Sequence, residues 1–166
     1  IQVTVANRGP EAATLHLLPT LWFRNDWTWN EDAPRPSLRS EAGSIVADHA
    51  QLGKRYLYCD AGQQGAPALL FTENETNTQR LWNQPNASPY VKDGINNFVV
   101  QGEATAVNPA QEGTKASAYY QLTVGGGESV VVRLRLTDAA ASKGSSAFNR
   151  VADFDSVVAE RKQEAD

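Results

Sequence analysis

The sequence predicts a mostly-β fold, an antiparallel β-sandwich closed by a C-terminal helix. Three observations predict it. Apolar and polar residues alternate through several short segments, the period of a half-buried strand. Turn signals rich in Gly, Pro and Asn separate those segments, with no strand–helix–strand rhythm between them. Only the last stretch changes period, where Phe148, Val151, Phe154 and Val158 recur near helical spacing.

In order along the chain, Ile1, Val3 and Val5 alternate with Gln2 and Thr4, and Asn7-Arg8-Gly9-Pro10 is a strong turn signal. A second strand starts at Ala13, with Leu15 and Leu17 on one face, and is expected to pair with the first as a hairpin. Leu18-Pro19 interrupts it, which implies a sheet edge or a bulge, before it resumes at Thr20. Residues 25–41 read as a loop carrying Trp27 and Trp29. Strands are expected at 44–49 and 55–60, then at the apolar run Leu69, Leu70 and Phe71. A long polar excursion follows, broken at Pro85 and Pro89, with a strand-like return at Phe98-Val99-Val100 and a further extension of the sheet at 103–107. Ala118, Tyr120, Leu122 and Val124 alternate up to Gly125-Gly-Gly127, and Val130, Val132, Leu134 and Leu136 alternate after it. That pattern predicts a second hairpin. Asp155 is the expected cap of the final helix. The expected division is therefore a β-sandwich over 1–138, then a flexible segment and a linker helix over 139–166.

A chain of 166 residues is long enough for one domain with a real core. Its net charge of −4 argues against a nucleic-acid or anionic-membrane partner. No apolar run approaches the length of a membrane span, and a cytoplasmic location is expected. The chain has no Met and opens inside a strand, so the expectation is a processed chain or a piece of a longer protein, the latter with the sandwich incomplete at its N-terminus. The single cysteine, Cys59, lies in a strand and reads as a structural thiol.

Metal and phosphate chemistry find little support. His16 and His49 stand on separate strands without companions at ligand spacing, no EF-hand spacing is present, and the triple glycine joins two strands. No metal and no cofactor are expected. No nucleophile elbow occurs. Asp26, Glu73, Glu75 and Asp93 lie in the two long loops, where two carboxyls across a sugar would suffice for glycoside hydrolysis. Solvated charges or salt-bridge partners for Arg24, Arg80 and Lys92 account for them more simply. Asn74 and Asn86 each head an N-glycosylation triplet, which no export signal puts in context.

The aromatics are the better lead. Trp22, Trp27, Trp29, Trp82 and Tyr90 crowd into or beside the loops. Indole faces pack against the C–H surface of a sugar or against a partner domain, while Trp22 follows the strand period and reads as packing. The strings TVANRGPEAA at 4–13, LPTLWFRN at 18–25, LFTENETN at 70–77 and PNASPYVKDGINN at 85–97 resemble bacterial proteins of glycoside hydrolase family 63. These are glucosidase-like enzymes related to mannosyl-oligosaccharide glucosidase or mannosylglycerate hydrolase. The resemblance covers most of the chain. It implies a supersandwich-like N-terminal domain, linked by the final helix to an (α/α)6 barrel that carries the acid and base of an inverting α-glucosidase. No catalytic residue carries over to this chain. The implied partners are that catalytic domain and an oligosaccharide. The residues expected to meet one or the other are Trp22, Arg24, Asn25, Trp27, Trp29, Glu73, Asn86, Tyr90, Lys92 and Asp93. The alternatives are a free-standing carbohydrate-binding module and a small glycosidase using Glu73 or Asp93.

Overall fold

The computed structural model describes residues 1–30, 32–62, 64–140 and 151–166. It is an antiparallel β-sandwich with a C-terminal helix. The described residues form ten strands: β1 (Gln2–Ala6), β2 (Ala13–Leu17), β3 (Thr20–Trp22), β4 (Ser37–Glu41), β5 (Ser44–His49), β6 (Gly53–Cys59), β7 (Ala68–Thr72), β8 (Glu112–Gly113), β9 (Lys115–Val124) and β10 (Ser129–Thr137). The larger sheet runs β1-β10-β6-β5-β4-β8, and the smaller is built around β9.

β2 and β3 lie end to end along one edge of β9, because Leu17 opposite Tyr120 and Thr20 opposite Ser117 continue one register. β7 pairs with the other edge. Pro19 therefore interrupts an edge strand, as its sequence context implied. It donates nothing, but its carbonyl still accepts from the Ala118 N–H at 3.0 Å.

Both long-expected hairpins are absent. β1 pairs with β10 and β2 with β9, so β1 and β2 enter different sheets, as do β9 and β10. Each pair is an arch that crosses the sandwich. The reason lies in what alternation encodes. Leu122, Tyr120 and Val132 are buried in one cluster with Val5, Leu15, Leu17 and Val130 packed on it. Alternation marks which side chains are buried, and it is satisfied equally by a neighbour strand beside or a facing strand across. True hairpins join β4, β5 and β6. β4 falls within residues expected to be loop, with Leu38 fully buried. Ala42 at φ 49° and Gly43 at φ 78° turn it into β5, a turn whose positive angles suit strand twist.

A second core cluster between the sheets contains Leu38, Ile45, Leu57, Phe71 and Leu134, with Cys59 packed against it. Burial pushes the Cys59 thiol up to about 11, which suits a structural role. The long excursion returns as helix, where the sequence suggested strand. A short turn α2 (Gly94–Asn96) runs into a π-helical turn at Asn97–Gln101, and 104–106 form a 3₁₀ turn in place of the expected sheet extension. Leu70 explains this. It points away from the sandwich interior and is covered by Ile95, Phe98, Val99 and Val107. Ile95, Phe98 and Val99 are spaced i, i+3, i+4, a helical stripe written in β-favouring residues.

The helix α3 (Val151–Ala165) closes the chain. The expected stripe begins at Phe148, and residues 141–150, most of the segment expected to be flexible, lie outside the described residues. Asp155 lies inside α3, so it does not cap it. Its Oδ1 instead accepts from Arg133 Nη2 at 3.0 Å, and the Arg133 guanidinium stands 5.5 Å above the Phe154 ring. No described helix is long and apolar enough to cross a membrane.

Candidate functional site

Two irregular segments, 23–36 and 73–93, are tied together at the end of the smaller sheet. Asn74 is the knot. Its Nδ2 donates to the Phe23 carbonyl at 2.9 Å, its carbonyl accepts from Asn25 Nδ2 at 2.9 Å, and its N–H meets Thr114 Oγ1 at 2.8 Å. Asn25 Oδ1 is occupied by the Thr28 hydroxyl at 2.7 Å. Glu73 accepts from Thr114 Oγ1 at 2.7 Å and pairs with Arg35 at 2.8 Å. Glu75 receives the Trp27 indole N–H at 3.2 Å and lies 3.4 Å from Arg35. Burial opposes the Arg35 charge, but the hydrogen bond to Glu73 and the two carboxylates raise its pKa overall. Glu73, Glu75 and Trp27 are thus internal fasteners of the loop layer.

The far side of the second segment is fastened by amides. Asn77 caps a short helix, α1 (Thr78–Trp82), by accepting from the Arg80 N–H at 3.0 Å. Its Nδ2 donates to both oxygens of Asp93, at 3.2 and 3.1 Å, and Arg80 reaches Asp93 at 3.3 Å. Asn86 donates to Asn77 Oδ1 at 3.1 Å and accepts from Thr78 Oγ1 at 2.9 Å. Asn86 and Asp93, expected to face a sugar or a partner domain, are spent on one another's neighbours. Tyr90 is half-buried, and its carbonyl accepts from the Glu73 N–H at 2.8 Å. Asn77→Ala removes the cap and two hydrogen bonds to the Asp93 carboxylate, which keeps only Arg80 among the described residues, so it is expected to cost about 2 kcal/mol. A urea titration checks this, with cleavage near Trp82 expected to speed up in limited proteolysis.

What remains facing outward forms a recess of about 500 Å³ lined by Trp22, Arg24, Asn25, Trp29, Asn74, Lys92 and Lys115. Five of the residues expected from the sequence meet here. Trp22, read as packing, is 56% exposed, and Trp29 is 76% exposed. Leu21 of the edge strand β3 and Phe23 just after it pack inward, so Trp22 between them falls on the outer face. Arg24, Lys92, Trp22 and Trp29 have no side-chain hydrogen bond or ion pair among the described residues. Lys115 Nζ donates to the Lys92 carbonyl at 2.8 Å. Burial, and then the neighbouring Lys92 charge, lower its pKa. Lys115 escaped sequence reading because it opens a strand whose alternation was traced from Ser117 onward.

No protein-family profile and no solved structure matches the chain. It is similar to an uncharacterized protein of Saccharomyces cerevisiae, 30% identical over 194 aligned residues that cover 99% of this chain and 18% of the relative. The chain thus spans less than a fifth of that protein's length.

Proposed function

We propose that this chain is a non-catalytic β-sandwich domain of a cytoplasmic glycoside hydrolase resembling family 63, an α-glucosidase-like enzyme of carbohydrate metabolism. It braces the catalytic barrel and borders the substrate cleft with the face that carries Trp22 and Trp29. The observation that supports this is the combination of exposure and order: Trp22, Trp29 and Trp82 are 56%, 76% and 62% exposed, on segments fastened from within. Bulky aromatics held out on a rigid surface suit contact with a partner or a sugar, where tryptophan concentrates binding energy. Carboxylates committed to Arg35, Thr114, Asn77 and Arg80 suit bracing better than catalysis. An inverting glycosidase needs a sheltered acid and a base about 6.5–9.5 Å apart with room for water.

The expected result is that this chain turns over no aryl α-glucoside or gluco-disaccharide. In the longer enzyme, Glu73→Gln and Asp93→Asn are expected to lower activity only several-fold, through packing. Steady-state assays of both proteins side by side check this. Turnover by this chain that either substitution abolishes would make it a small glycosidase instead. Tight glucan binding by this chain alone would favour the carbohydrate-binding module.

A further inference from the structure

We infer that the recess between Trp22 and Trp29 is a binding site for a sugar acid, a pyranose carrying a carboxylate. The inference rests on the proposal that this face borders a carbohydrate cleft, and adds the charge of the ligand.

The lining carries the argument. Three cations, Arg24, Lys92 and Lys115, share one recess on a chain of net charge −4. Among the described residues no carboxylate lines it, and the Asp93 charge, which favours the Lys115 ammonium, acts from outside the lining and is already held by Asn77 and Arg80. Like charges gathered this closely repel one another, and an anion seated among them removes that cost. Most acceptors of the lining are already engaged: Asn25 Oδ1 by Thr28, and the carbonyls of Lys92 and Asn74 by Lys115 and Asn25, which leaves the Asn74 amide oxygen. The free groups at Arg24, Lys92, Trp22 and Trp29 are N–H donors. A neutral sugar presents hydroxyls that must donate as well as accept, and finds few partners here. A carboxylate only accepts, and a charge-assisted bond to Arg or Lys is the stronger kind. The indoles supply the second half of the recognition, an apolar wall for a ring's C–H face. A volume of about 500 Å³ lies within the ordinary range for small-molecule sites. A bare phosphate would leave those walls unused.

The test titrates the 166-residue chain with glucuronate, glucose and inorganic phosphate at about 20 mM salt, where screening is weak. Readouts are tryptophan fluorescence, the indole N–H resonances and the Lys115 ammonium titration. Glucuronate is expected to saturate at least tenfold more tightly than glucose, to shift the indole signals of Trp22 and Trp29, and to raise the Lys115 pKa. Lys92→Gln and Arg24→Gln are each expected to weaken glucuronate fivefold or more without moving the thermal midpoint, since neither side chain has a hydrogen-bond or ion-pair partner among the described residues. Trp29→Ala should weaken it further. Equal affinity for glucose and glucuronate would overturn the charge inference while leaving the sugar-facing reading intact. Phosphate binding as tight as glucuronate, with silent indoles, would reduce the recess to a nonspecific anion patch. Saturation by none of the three would overturn both the inference and the sugar-facing reading.

Discussion

Phe71→Ala is expected to lower the free energy of unfolding by about 3–5 kcal/mol, the range for emptying an aromatic site in a packed core. Phe71 is fully buried, in a cluster with Leu38, Ile45, Leu57, Ala116 and Leu134 drawn from both sheets. Among the described residues its strand β7 pairs with β9 alone, so no second strand there holds it if the side chain is lost. The neighbouring backbone is also committed: the Phe71 carbonyl accepts from the Asn108 N–H at 2.8 Å, and the Thr72 carbonyl from the Thr114 N–H at 3.1 Å. Little collapse is therefore available, and the cavity should persist. The effect should reach the recess, because Glu73 and Asn74 follow directly on this strand. Denaturant unfolding measures the loss, with Val100→Ala, 72% exposed, as a control expected within about 0.5 kcal/mol. A loss for Phe71→Ala below about 1.5 kcal/mol would mean that the two sheets close over the gap.

Much of this fold was legible because burial dictates it. The strand Ser44–His49 was readable to the residue, and so were the inward faces of β9 and of β10 up to Leu134, since apolar alternation states directly which side chains leave water; Leu136, read on the same face, is 56% exposed. Strand partnership was not legible. Leu122 and Val132 look the same in sequence whether their strands lie side by side or face to face. Helix in the long excursion was hidden by composition: Phe98, Val99 and Val100 favour strands locally, and only the outward-facing Leu70 makes their helical spacing useful. Short elements defeated local reading as well. α1 depends on a cap, Asn77, whose other contacts lie 9 and 16 residues away.

The site was legible by residue type and illegible by direction. Crowded tryptophans and amides marked the two segments correctly. Which of them face outward depends on pairings between the segments, such as Trp27 with Glu75 and Asn25 with Asn74, separated by 48 and 49 residues. Arg35 was missed for the same reason. Nothing local shows that it reaches Glu73, although an arginine between two prolines is well placed to be held rigidly. Lys115 gave one faint signal, a cation at the start of a strand whose next positions are wholly buried.

The arch between β9 and β10 predicts an asymmetry between adjacent glycines that a hairpin would not produce. A Cβ on Gly126 would lie 2.3 Å from the Pro10 carbonyl oxygen and 2.5 Å from its carbon, both backbone atoms of the other arch. The two arches are stacked and pinned. Asn7 donates through Nδ2 to the carbonyls of Val124 at 2.9 Å and Glu11 at 2.7 Å, and its N–H reaches the Glu128 carbonyl at 2.9 Å. Neither arch can yield without breaking that set, so Gly126→Ala is expected to cost about 3 kcal/mol, the upper part of the usual overpacking range. Gly127 differs: a Cβ there meets nothing within 4 Å, but its φ is +72°. Gly127→Ala should therefore cost only the left-handed strain, about 1–2 kcal/mol. Asparagine tolerates that conformation, so Gly127→Asn should recover most of the loss, whereas Gly126→Asn should recover none. Asn7→Ala, which frees the arches to shift, should reduce the cost of Gly126→Ala in a double-mutant cycle. Thermal and urea unfolding of the set provide the measurement. Equal, small costs at both glycines, with no coupling to Asn7, would mean that the turn projects into solvent as a hairpin tip and that β9 and β10 do not cross between the sheets.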